Sequence, residues 1–209
     1  MGSDSKKAKA SKVLDEFGVT FCSELKISPE GMTPGHLFKT LVFSLLASAR
    51  ISHNAAMRAT RGLFDAGWTT AKKMAAATWE ERVKVLNTHG YARYDESTSR
   101  YLGYTCDLMI EKYGGDLNRL REAAGRDPAS ERKLLLEFKG IGNVGVNIFF
   151  REVQLSWDEL YPFADDLALK AAAALGMGAS AGELCKLVSR ADFPRLVAGL
   201  VRMKLGKKI

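Results

Sequence analysis

Apolar positions recur along this chain at three- and four-residue spacing almost from end to end, the period of helices that bury one face. Val13, Leu14, Phe17 and Phe21 begin the series. Thr33-Pro34 then opens a helix, with Thr33 as N-cap and Pro34 at the first helical position, where a missing N–H costs nothing. The body that follows, LFKTLVFSLLASA, is apolar nearly all round and predicts a central buried helix. Another helix is expected over residues 52–64, stopped by the Asp65-Ala66-Gly67 turn before Trp68. Thr78 and Glu81 have the spacing of a capping box ahead of Val83, Val85 and Leu86, and this helix stops at His89-Gly90. A polar loop, YARYDESTS, leads into a helix from about residue 97 to 113. Asp116 starts a short amphipathic turn carrying Leu117, Leu120 and Ala123. No alternating run flanked by hairpin turns stands out, so the expected class is all-α, with about ten short helices.

Residues 127–153, DPASERKLLLEFKGIGNVGVNIFFREV, carry the most chemistry. Asp127-Pro128 starts a helix in the same way as Thr33-Pro34. Leu134, Leu135 and Phe138 give it an apolar face, and Lys139-Gly140-Ile141-Gly142-Asn143 interrupts it. A second apolar helix follows with Val146, Ile148, Phe149, Phe150 and Val153. Two helices joined by a Gly-Ile-Gly turn form a hairpin whose glycines let a phosphate approach the backbone. The turn ends at a helix N-terminus, where free N–H groups and the helix dipole favour an anion. Ile141 can plug the turn into the core. Such a device can grip a nucleic-acid backbone without reading sequence, the other reading of the residues being a tight helical hairpin in a core.

Charge and composition agree with this. The chain of 209 residues carries 31 Lys and Arg against 24 Asp and Glu, a formal net charge of +7 that suits a polyanion or a plain solvated surface. A 46% hydrophobic and 26% charged composition is that of an ordinary globular protein. No apolar run is long enough for a membrane span, and no secretory signal is visible at the start. The three cysteines, Cys22, Cys106 and Cys185, are scattered and odd in number, so neither a disulfide framework nor a four-thiolate iron–sulfur cluster is expected. They point to a reducing, intracellular compartment. Residues 1–12, polar and basic, read as a flexible tail. Residues 13–209 read as one globular region with a central lobe at about 33–125, a hairpin segment at about 127–176, and C-terminal helices at about 177–206 that pack with the N-terminal segment.

FKGIGNVGVNI resembles the LPGVGxKTAN hairpin of the endonuclease III family and the PGIGxWTAN hairpin of the 3-methyladenine DNA glycosylases, with Gly140, Gly142 and Asn147 matching directly. YPFADDLALK is similar to the aspartate-bearing loop of these helix-hairpin-helix (HhH-GPD) glycosylases, FKTLVFSLLASARISHNAAMRA to their long buried helix, and THGYAR to their Gly-Leu/Tyr-Tyr loop. The likeness spans about residues 33–176 in order. It implies a two-lobed helical fold with a DNA-binding cleft between lobes, acting as a monomer on double-stranded DNA. It implies an enzyme that flips a damaged base from the duplex and cuts its N-glycosidic bond. Asp165 and Asp166 are the candidates for the catalytic carboxylate, Asp166 preferred as the helix opener, and a plain N-cap beside a surface charge is the other reading of the pair.

The same likeness places Lys139, Gly140, Ile141, Gly142, Asn143, Val144 and Gly145 at the DNA backbone, with Asn147 as a structural residue. Arg50 in the loop after the long helix, and Tyr91 and Arg93 in the loop after Gly90, are further candidate DNA contacts, with packing the other reading for Tyr91. Trp157, Tyr161 and Phe163 are candidates to line a base pocket, with covering the core the other reading. Family members can hold Na⁺ or K⁺ on turn carbonyls, here those of Lys139–Gly142. The lysine that gives bifunctional members their strand-cleaving chemistry is absent, replaced by Val144. The expected activity is therefore that of a monofunctional glycosylase. The alternative is a catalytically inactive DNA-binding protein that keeps the fold.

Overall fold

A computed structural model of the chain describes residues 3–28 and 32–206. They are helical throughout, with no strand among them. The helices are α1 (Ser3–Phe17), α2 (Phe21–Glu24), α3 (Pro34–Ala47), α4 (His53–Asp65), α5 (Ala71–Ala76), α6 (Trp79–Thr88) and α7 (Asp95–Tyr113). They continue with α8 (Leu117–Ala123), α9 (Pro128–Leu135), α10 (Asn143–Val153), α11 (Asp166–Ala174), α12 (Ala181–Leu184) and α13 (Phe193–Lys204). A 3-10 turn at Asp158–Leu160 lies between α10 and α11.

The chain divides into two compact units. Residues 31–149 form one, and residues up to 30 together with those from 150 onward form the other. The boundary falls inside α10, so the expected segment 127–176 is shared: the hairpin belongs to the first unit and the aspartate pair to the second.

In the unit of residues 31–149, α3 is the core helix. Thr33 caps it by accepting the His36 N–H at 3.3 Å, and Leu37, Phe38 and every residue from Thr40 to Leu46 are buried. Its two buried hydroxyls are satisfied locally, Thr40 donating to the His36 carbonyl at 2.9 Å and Ser44 to the Thr40 carbonyl at 2.8 Å. Helices α4, α7 and α8 pack on it. The Thr78–Glu81 capping box forms reciprocally, at 3.1 and 2.7 Å. Residues 71–76, which sequence left unassigned, form α5. Buried Arg82 of α6 donates Nη1 to the carbonyls of Met74 and Ala77 at the end of α5, at 3.1 and 2.6 Å, and Nε to Ser99 of α7 at 3.3 Å. One guanidinium thus joins three helices, and burial lowers its pKa.

The other unit is built on α13, which packs against α1 and α11. This corrects the expected flexible tail. Met1 and Gly2 lie outside the described residues, but from Ser3 the segment is helix, with Ala10 fully buried and Val13 4% exposed. Gly199 of α13 lets the helices meet, since a Cβ there would come within 2.9 Å of Val13 Cγ1. Arg202 donates to the Val19 carbonyl at 2.9 Å and pairs with Glu24 at 2.7 Å.

Candidate nucleic-acid interface and acid pair

Asp127 caps α9 through the Ser130 N–H at 2.8 Å, and the chain reverses over residues 136–142 into α10. Gly140 is required here. Its φ of +90° lies in the left-handed region, and an added Cβ would fall 2.7 Å from Tyr101 Cδ2 of α7. Gly142 is different, because a Cβ there would meet nothing within 4 Å. Ile141 is 5% exposed and packs against Gly145, while Lys139, Gly140, Gly142, Asn143 and Val144 are exposed. Gly145 in turn brings α10 close to α3, a Cβ there lying 3.5 Å from the Ser44 carbonyl. Asn147 accepts a hydrogen bond from Arg132 at 2.8 Å, which ties α10 to α9.

The electrostatics of the turn follow. The first intrahelical bond of α10 runs from the Val146 N–H to the Gly142 carbonyl at 3.0 Å. The N–H groups of Gly142, Asn143 and Val144 make no hydrogen bond among the described residues. Bare donors at the positive end of a helix suit an anion. The Phe138 carbonyl accepts from Ile141 at 2.9 Å, whereas those of Lys139, Gly140 and Ile141 accept nothing among the described residues.

The two aspartates have unlike surroundings. Asp165, not Asp166, is the N-cap of α11. It is 8% exposed, its Oδ1 accepting the Ala168 N–H at 3.0 Å and its Oδ2 the Arg151 Nη1 at 2.7 Å. Arg151 is itself buried, pairs with Glu152 at 3.4 Å and lies over the Phe21 ring at 5.0 Å. Glu152 accepts the Cys22 N–H at 2.9 Å. Asp166, the first residue of α11, is exposed and has no hydrogen-bond or ion-pair partner among the described residues.

The loop ahead of the acids is fixed by fully buried Gln154, which accepts the Phe163 N–H at 2.9 Å and donates to the Phe163 carbonyl at 3.1 Å. Phe163 sets its ring edge-on to Phe150 at 5.6 Å. Tyr161 is half-buried, edge-on to Phe193 at 5.4 Å, with the Arg190 guanidinium over its face at 4.3 Å. Arg151 and Gln154 were not singled out from the sequence. Their signal was a polar Arg-Glu-x-Gln run closing an otherwise apolar helix.

Two candidates need correction. Trp157 is fully buried and is a core residue of its unit, not an open pocket wall. Tyr91 is fully buried as well, its hydroxyl donating to the Leu46 carbonyl at 2.9 Å, so it anchors the loop after α6 to α3 and presents no ring to a duplex. Burial pushes its pKa up to about 12. Arg93 and Arg50 remain exposed, the former with its guanidinium over the Tyr94 ring at 5.3 Å. Cys22 and Cys106 are buried, and among the described residues no group of three His, Cys, Asp or Glu side chains is placed to hold a metal. No described helix is long and apolar enough to cross a membrane.

No protein-family model and no curated protein matches this chain. A solved structure of a trapped endonuclease III–DNA covalent intermediate, an estranged-adenine complex, is similar to it at 18% identity and a TM-score of 0.49, over 78% of this chain and 71% of that one.

Proposed function

We propose that this protein is a DNA N-glycosylase that hydrolyses the bond between a flipped base and its sugar, water being the nucleophile. One observation carries the reading. The hairpin turn is exposed, its glycine conformation is enforced, and its N–H groups are bare. A phosphodiester is an anion that such donors suit, and it needs no base contact. The formal charge of +7 favours the same polyanion.

Asp166 is the catalytic residue in this reading. Asp165 is spent on Arg151 and the α11 cap, so Asp166 has the available carboxylate. As the C1′–N bond breaks, its electron pair leaves with the base and positive charge develops on the sugar. A carboxylate at C1′ stabilises that charge and accepts a proton from the water whose oxygen bonds to C1′. Val144, 60% exposed at the start of α10, offers no amine for a Schiff base, so strand cleavage is not part of the reaction. A monovalent cation on the carbonyls of Lys139, Gly140 and Ile141 would add positive charge beside the phosphate.

The test is base release from a panel of lesion-bearing duplexes, with binding measured on the same duplexes at low and high salt. Asp166→Asn is expected to lower release by about a thousandfold or more while leaving duplex affinity within about twofold. Full activity in Asp166→Asn would reject the catalytic assignment. Salt-sensitive binding without release from any lesion would favour a non-catalytic DNA-binding protein, the reading that Val144 also permits.

A further inference from the structure

Tyr101 is one of the closest neighbours of the hairpin turn. The site at which Gly140 would carry a Cβ lies 2.7 Å from Tyr101 Cδ2, 2.9 Å from Cγ and 3.2 Å from Cβ. The near edge of the ring therefore occupies the space that any other residue at position 140 would need. The turn follows α7 at two further points. Lys112 pairs with Glu137 at 2.7 Å, and the Tyr113 ring lies 6.2 Å from that of Phe138, a buried residue. Lys112 and Glu137 are each substantially exposed, so water screens that ion pair, and it adds little rigidity. Phe138 lies ahead of the positive-φ residue and anchors the end of α9. The Tyr101 contact, by contrast, is made at the residue whose positive φ leads into the next three N–H groups.

We propose that Tyr101 is the positioning residue of the hairpin, its ring forming a flat seat that holds Gly140 at positive φ and keeps the N–H groups of Gly142, Asn143 and Val144 convergent on one phosphate. This rests on the DNA-binding reading above for its partner, though not for its geometry. Without the seat, Gly140 regains the wide conformational range of glycine. The donors then have to be ordered each time a strand binds, and that ordering weakens affinity. The phenolic hydroxyl is not needed, because the atoms nearest that position are Cδ2, Cγ and Cβ of Tyr101.

The test uses the full chain with Tyr101→Phe, Tyr101→Ala and, as a control, Tyr104→Ala, which removes a 54% exposed tyrosine one turn along α7. Two quantities are read: amide hydrogen exchange at Ile141 and Val146, whose N–H groups are bonded to the Phe138 and Gly142 carbonyls across the turn, and dissociation of an undamaged duplex in low salt. Tyr101→Ala is expected to speed exchange at these amides about tenfold and to weaken duplex binding about five- to tenfold. Tyr101→Phe should restore both to wild type, and Tyr104→Ala should leave the exchange unchanged. Wild-type exchange at Ile141 and Val146 in folded Tyr101→Ala overturns the proposal, as does equal acceleration in Tyr104→Ala. Should Tyr101→Ala not fold, Tyr101→Leu, which keeps a branched edge but no flat ring, is read in its place, and wild-type exchange there overturns the proposal. If wild-type protein binds no duplex, the DNA reading fails, while the exchange result still decides the role of Tyr101.

Discussion

Asp165 is held between the Arg151 guanidinium and the first turn of α11, with both carboxylate oxygens engaged. Asp166, one peptide bond on, faces water. Their substitutions should therefore separate stability from chemistry. Asp165→Asn keeps an acceptor for the Ala168 N–H but leaves Arg151, 4% exposed, without its closest anion. Breaking such a buried pair from one side costs about 3 kcal/mol. Thermal unfolding should show that loss in Asp165→Asn and none in Asp166→Asn, and equal melting of the two variants would contradict the division of roles. Whether Asp165 is a scaffold or an acid was open in the sequence, because Arg151 lies fourteen residues away and reaches it only through folding.

At the scale of the hairpin, the two glycines of the turn predict opposite phenotypes. Gly140→Ala puts a methyl into the Tyr101 ring at a φ of +90°, so stability should fall by about 1–3 kcal/mol. Gly142→Ala meets no atom within 4 Å, and its unfolding should match wild type. Its methyl nevertheless stands beside the bare N–H groups. Duplex affinity should drop about tenfold in Gly142→Ala with no change in melting. Denaturation and binding titrations on the pair check both statements, and unimpaired binding by Gly142→Ala would remove the phosphate from this turn. Much of the element was legible beforehand, since Asp127-Pro128, the glycines and the apolar residues after them are local signals. The support from Tyr101 was not, because it arrives from another helix.

At the scale of the whole molecule, two buried groups make stability fall at alkaline pH. Burial raises the Tyr91 hydroxyl and the Cys106 thiol each to about 12. In the unfolded chain these groups ionise near pH 10 and 9, so above those values the unfolded state holds fewer protons than the folded one. Their contribution is complete below pH 9 and is lost as pH rises toward 12. Chemical denaturation from pH 8 to 11 should show a falling stability whose slope is reduced in Tyr91→Phe. A slope identical to wild type would mean that the phenol is not buried as described. Cys106 should likewise resist alkylation until the protein unfolds.

The sequence by itself determined most of the helices, several of their caps and the glycine turn, because periodicity, capping residues and glycine act within a few positions of one another. Tertiary structure decided which side of each residue the rest of the chain would cover. It put Tyr91 and Trp157 into cores, turned residues 3–12 from an expected tail into part of a packed helix, and tied down one aspartate of an adjacent pair. Burial depends on partners far along the chain, such as Gly199 for Val13 or Leu46 for Tyr91, and no local pattern encodes that distance.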